Sequence, residues 1–191
     1  MRIEDLVVRL STDPFNPEYN FDVAKAYEDL TQTASAVAFY HRTAEHGYDT
    51  HPDLVYASLI RISHCFQDQS DRLHTVSNCL LQAIAFLPTR PEAYLLMSQF
   101  AEREQNWQEC YTWAEVGLNA ANKFSHKPLP VDTGYFGTYC FDFQKAVSAW
   151  WIGRKEEALD TFYRLKSMKD IHEQYKNSVE NNLKVISNVA V

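Results

Sequence analysis

Glycine and proline are scarce: the 191 residues hold five and seven of them. An all-β chain uses many of both in its turns, so the shortage favours helices. No apolar run approaches the roughly 18 residues that a membrane span requires. Positive charge is also short. Eighteen Lys and Arg stand against 25 Asp and Glu, for a net charge of −7. A nucleic-acid-binding domain would carry a basic face instead. The start, MRIEDLVVRLSTD, has acids at Glu4 and Asp5 and too little apolar sequence for a signal peptide.

Chemistry-bearing motifs are missing as well. The chain has no GxGxxG, P-loop, HExxH or GxSxG. His41, His46 and His51 lack repeated ligand spacing, and the adjacent His64 and Cys65 cannot share a helix face. Cys65, Cys79, Cys110 and Cys140 form no CxxC pair and sit among apolar or aromatic residues. They read as buried free thiols of a cytoplasmic protein, with disulfides or a metal site as the alternatives. The expectation is no enzyme, no cofactor, no metal, no nucleic acid and no membrane.

What is present is helical periodicity. An apolar content of 46% suits one domain or one array with a real core. Ile3, Leu6, Val7 and Leu10 form a short amphipathic set, broken by Asp13–Pro17; residues 1–16 read as an N-terminal lead. Helix pairs follow at about 17–30 and 34–46, 52–67 and 71–86, 91–104 and 107–121, and 141–152 and 155–168. Asn16 with Pro17 suits a helix start. Thr89-x-x-Glu92 and Asn106-x-x-Glu109 resemble capping boxes. Gly47 and Gly153 mark helix ends. Asp170-x-x-Glu173 opens a last helix over 170–188, with Ile171, Tyr175, Val179, Leu183 and Ile186 in one stripe.

The pairs repeat. Val76, Leu80 and Ala83 map onto Cys110, Ala114 and Gly117 by a shift of about 34 residues. Phased over four pairs, the first helices carry Ala24/Tyr27, Ser63/Phe66, Ser98/Ala101 and Ala146/Ala149 three residues apart. The second helices carry Ala36, Val76, Cys110 and Ala158. Tyr40, Leu80, Ala114 and Phe162 follow four on, then Thr43, Ala83, Gly117 and Leu165. Small residues let paired helices approach to about 8–10 Å, and larger ones fill the space opposite.

This pattern resembles the tetratricopeptide (TPR) family over residues 17–168, with repeats 1–3 at 17–121 and repeat 4 at 141–168. The resemblance implies an all-α, TPR-like helical-repeat solenoid of about four helix pairs with a C-terminal capping helix. The chain departs from the family in three places. Most units lack the Trp/Leu-Gly start, one extra residue lies between Phe66 and Val76, and an aromatic-rich loop is inserted at 122–140. That loop holds Pro128, Pro130, Gly134 and Gly137 with Phe124, Tyr135, Phe136 and Tyr139, so it should pack on something. A narrower resemblance links RPEAYLLMSQFAEREQNWQECYTWAEVGL and FQKAVSAWWIGRKEEALDTFYRL to helical regions accompanying bacterial and phage glycosyltransferase-like proteins. It implies a context of glycan transfer, without the transferase fold or its Asp-x-Asp motif.

In a TPR array the first helices line the concave side. The resulting rows are Lys25, His64, Gln99 and Val147, and Glu28, Gln67, Glu102 and Trp150, flanked by Asp22, Asp29, Arg61 and Arg103. The partner-binding candidates are Lys25, Glu28, His64, Gln67, Gln99, Glu102, Arg103 and Trp150. Each could equally be part of a solvated helix face. In register, they suit an extended peptide or a helix of a protein partner. Phe21 and Lys25, with Glu92 and Leu96, replace the pattern that clamps a chaperone C-terminus. Trp107, Trp113, Trp150 and Trp151 read as core, with one of the last two free for the groove, a sugar or a homo-oligomer contact. The expectation is a protein-interaction scaffold. Two rivals are an accessory of a glycan-modifying system and an oligomeric structural subunit, such as a phage component.

Overall fold

A computed structural model describes residues 2–67, 69 and 72–189, without the side chain of residue 189. Ten helices make up these residues: α1 (Ile3–Thr12), α2 (Pro17–Asp29), α3 (Thr33–Gly47), α4 (Pro52–Gln67), α5 (Leu73–Phe86), α6 (Glu92–Arg103), α7 (Trp107–Lys123), α8 (Tyr139–Trp151), α9 (Lys155–Ser167) and α10 (Glu173–Val189). The described residues contain no strand. The fold is all-α, as the scarcity of glycine and proline implies. The N-terminal lead is itself a ten-residue helix, with Leu6 and Leu10 buried against Val23.

The chain divides into two compact units. The first comprises Met1–Pro88 with His126–Asp132, and the second Thr89–Ser125 with Thr133–Val191. In the first, α1 packs on α2, and α2 through α5 pack each on the next. In the second, α6 through α9 do the same and α10 packs on α9 and α8. First helices also touch the first helix of the following pair, α2 with α4 and α6 with α8.

The repeat positions explain this packing. Ala24, Ala36, Tyr40, Thr43, Leu80 and Ala83 are buried in the first unit, as are Ser98, Cys110, Ala114, Ala146, Ala158, Phe162 and Leu165 in the second. Ser63, Val76, Ala101, Gly117 and Ala149 are buried as well, while Tyr27 and Phe66 are half-buried. The four cysteines are free thiols, three of them buried.

The turns between first and second helices repeat too. Thr31, Gln105 and Gly153 share a left-handed backbone, with φ of 57°, 57° and 87°. In each turn the next N–H reaches back to the first helix: Gln32 to Tyr27 at 2.9 Å, Asn106 to Ala101 at 2.8 Å, Arg154 to Ala149 at 2.8 Å. This is the Schellman closure, which satisfies carbonyls that the helix end leaves open. The corresponding turn after α4, with the extra residue expected between Phe66 and Val76, falls partly on residues outside those described.

Among the local expectations, the Asn16 cap holds and several others need correction. Asn16 caps α2, its Oδ1 accepting from the Tyr19 N–H at 3.2 Å. Thr89 is not the cap residue of α6. Helix α6 begins at Glu92, with Pro91 in the cap position. The Glu92 carboxylate instead accepts from buried Arg90, at 2.7 Å and 3.2 Å. An ion pair removed from water is the stronger claim on that carboxylate. The last helix likewise starts at Glu173, three residues after Asp170. The insertion is shorter than expected, because α7 runs on to Lys123 and α8 opens at Tyr139.

Candidate functional site

In the first unit, Lys25, Glu28 and Asp29 lie on the last turns of α2, and Arg61 lies on α4. Together with Pro130, Val131 and Asp132 they line a recess of about 190 Å³. Its floor is an ordered polar network. The Tyr40 hydroxyl, rising from α3, donates to Glu28 Oε2 at 2.6 Å. Arg61 Nε donates to the same oxygen at 3.0 Å, and its Nη2 donates to Oε1. The pairing is bidentate, the geometry that guanidinium and carboxylate favour. Burial, together with the hydrogen bond to Glu28, pushes the Tyr40 hydroxyl far above its ordinary pKa. Burial opposes the Arg61 charge, but the bonds to Glu28 outweigh it and raise the guanidinium pKa. Burial, with Glu28 adding to it, pushes the nearby Cys65 thiol up to about 11. Tyr40, Glu28 and Arg61 thus hold the recess walls in fixed positions. Lys25, Asp29 and Asp132, all exposed, are the charges it presents to solvent.

Residues 130–132, the end of the segment 128–132, form the remaining wall. Exposure alternates along the segment: Pro128, Pro130 and Asp132 are exposed, and Leu129 and Val131 are half-buried. Leu129 and Val131 pack against the core built from Phe21, Ala24, Tyr40, Ala57 and Ile62. The segment has no helix or strand, and the chain bends at Pro130 and Val131, so that both apolar side chains meet the same core.

The other candidates in this unit, His64 and Gln67, are half-buried on α4 and are not among the residues lining the recess.

The second unit uses its candidates differently. Gln99 hydrogen-bonds the buried Tyr175 of α10. Glu102 is hydrogen-bonded to Gln144 and half-buried, and burial raises its carboxyl pKa while that bond opposes the rise. Next to it, Ser98 donates to the Cys110 carbonyl at 2.8 Å, and Cys110 Sγ lies 3.4 Å from Gln144 Oε1. Gln99 and Glu102 therefore tie helices together. Arg103 is exposed, its guanidinium carbon 5.8 Å from the Phe100 ring centre. Val147, expected in the binding row, is buried because its face of α8 turns into the core.

Trp150 is half-buried beside Tyr111, Ala149 and Ala158, with Lys155 Nζ 5.0 Å from its ring centre. The exposed member of the pair is Trp151, at 61% exposure, stacked on Trp107 with ring centres 5.2 Å apart. Tyr111 donates to Glu157 at 2.7 Å and carries Arg154 over its ring at 4.6 Å. Among the described residues, no group of three or more His, Cys, Asp and Glu side chains is arranged to hold a metal. No described helix is long and apolar enough to cross a membrane.

Solved structures share this arrangement at low identity. MamA superposes with a TM-score of 0.62 and 14% identity, over 84% of this chain and 82% of its own. PilW, a widely conserved type IV pilus biogenesis factor, gives 0.67 and 14%, over 92% of this chain and 72% of its own. A Podosopora anserina chain of nearly identical TPR-like repeats, assigned to kinesin light chain, gives 0.60 and 14%, over 86% and 82%. No protein-family model and no curated protein matches the sequence. Identities this low speak for the fold alone, and that fold is TPR-like: paired helices in repeat, closed by a C-terminal helix.

Proposed function

We propose that this chain is a non-catalytic protein-interaction scaffold, acting in the cytoplasm, whose first unit receives a peptide or protein segment along α2 and α4. The observation that carries this reading is the recess. Its floor is locked by Tyr40, Glu28 and Arg61, and its rim offers Lys25 and Asp29 to solvent. A rigid floor with solvated charges at the rim lowers the entropy lost on binding and orients a charged partner. The TPR-like fold supports the same reading, since such repeats build extended binding surfaces.

The test is co-purification from the native cell with Lys25→Glu and Asp29→Lys combined, both exposed and so tolerable to the fold. The reading expects a specific protein to be retained by the native chain and by a Lys184→Glu control on α10, and lost from the double variant. Equal retention by all three contradicts it.

A second reading rests on Trp151 and Tyr163, both about 60% exposed. They suit a homo-oligomer contact made by the second unit, as a structural subunit of a particle would use. Sedimentation would then show mass rising with concentration in the native chain and a constant monomer for Trp151→Ala. A role beside a glycan-modifying enzyme rests on sequence resemblance only. Co-purification of a catalytic chain would support it.

A further inference from the structure

Residues 126–132 lie in the sequence between parts of the second unit, yet they belong structurally to the first. They carry no helix. They meet the first unit as a bound peptide meets a receptor. Leu129 and Val131 face the core, Pro128 and Pro130 face outward, and Asp132 shares the recess with Lys25. Two prolines in five residues fix φ at alternate positions, so the segment pays less further ordering entropy to hold its shape, which bends at Pro130 and Val131.

Building on the scaffold reading, we infer that the α2–α4 face of the first unit takes a proline-punctuated peptide with apolar side chains two residues apart and an acid at its C-terminal end, and that the chain's own Pro128–Asp132 segment occupies this face until such a partner displaces it. The chemistry follows from the seat. Two half-buried apolar side chains separated by one residue make two contacts with one core cluster. Lys25 supplies the charge that favours an acid following the second of them. Glu28 and Arg61 neutralise one another, so the floor adds no net charge to bias the apolar contacts.

The experiment uses the full chain and a fluorescein-labelled peptide, HKPLPVD, which copies residues 126–132. The resident segment is loosened by Leu129→Ser with Val131→Ser. A tethered segment competes at an effective concentration on the order of mM. Weakening it should therefore raise the affinity for free peptide about tenfold in an anisotropy titration. Adding Lys25→Glu in that background should reverse the gain, and a scrambled peptide of the same composition should not bind. Equal affinity for the native and loosened chains, or equal binding of the scrambled peptide, overturns the inference.

If the double variant loses its helical circular dichroism, Pro130→Gly serves instead. It frees the segment's backbone and leaves both apolar contacts in place. A smaller gain in the same direction is expected, and no gain overturns the inference. A partner that is lost from the Lys25→Glu, Asp29→Lys chain but is not competed by HKPLPVD overturns this inference and leaves the scaffold reading standing.

Discussion

A Cβ placed on Gly117 would lie 2.3 Å from Cε1 of Phe141 and 2.7 Å from the Cβ of Tyr94. Helices α6, α7 and α8 meet at that point, and Gly117 is the third small position of its repeat. Phe141 is fully buried, in an interior where close packing leaves few voids. Gly117→Ala should therefore destabilise the second unit by about 3 kcal/mol, the upper end for overpacking. Urea denaturation measures it, and Phe141→Leu in the same chain should restore part of the loss. An unchanged midpoint would mean that the helices are not this close.

The repeated turn makes a second prediction, with opposite signs at equivalent sites. Thr31 and Gln105 hold a left-handed backbone that side chains with a Cβ disfavour, and Gly153 holds it freely. Thr31→Gly and Gln105→Gly should each stabilise the protein by about 1 kcal/mol, and Gly153→Ala should destabilise it by a similar amount. Thermal melts of the three variants check this. The same sign at all three would show that the turns are not equivalent.

The floor of the recess can be dissected by a double-mutant cycle. Tyr40→Phe removes one hydroxyl and should cost about 1 kcal/mol. Glu28→Ala leaves both that hydroxyl and the Arg61 guanidinium without their carboxylate and should cost about 2 kcal/mol. This is less than a fully buried pair, since both side chains retain some exposure. The double variant should cost less than the sum, because the two changes share one interaction. Strict additivity would separate Tyr40 from the network.

Glu102 makes a prediction about pH. Its carboxyl pKa is raised in the folded chain, chiefly by burial, so the folded state holds this proton to higher pH than the unfolded state does. Stability from this group is present at low pH. It is lost as pH rises from the unfolded value of about 4.3 through the folded one. Glu102→Gln removes the titration. It should be more stable than the native chain near neutral pH, and the difference should shrink as pH falls toward the unfolded value. A gap that widens on acidification would mean that the carboxylate is stabilised in place.

Much of the fold is legible in the chain because close packing constrains residue size at fixed intervals. Ala36, Cys110 and Ala158 could be phased before any coordinate was known, and all three are fully buried. Asn16 was legible because capping is a local event between neighbours. Thr89 misled because Arg90, buried beside it, engages Glu92, and burial depends on distant parts of the chain. One ring of the tryptophan pair was expected to face out, and Trp151 does. Adjacent helix positions point about 100° apart, and periodicity alone did not decide which ring faced out. The seat of residues 128–132 left the faintest mark. Pro128 and Pro130 signal a non-helical segment carrying Leu129 and Val131, but no pattern in sequence names the surface on which it lies. The Glu28 position was found through the repeat phase. Its bonds to Tyr40 and Arg61 join three helices and become visible only when these are assembled.

The central claim is that partners meet this protein over α2 and α4 of the first unit. The most direct measurement is photo-crosslinking in the native cell, with a photoreactive residue replacing Lys25 in one chain and Lys184 in another, and adducts identified by mass spectrometry. The account predicts a defined protein adduct at position 25 that disappears when Asp29→Lys is added, and no such adduct at position 184. The same adducts at both positions, or none at position 25, would contradict it.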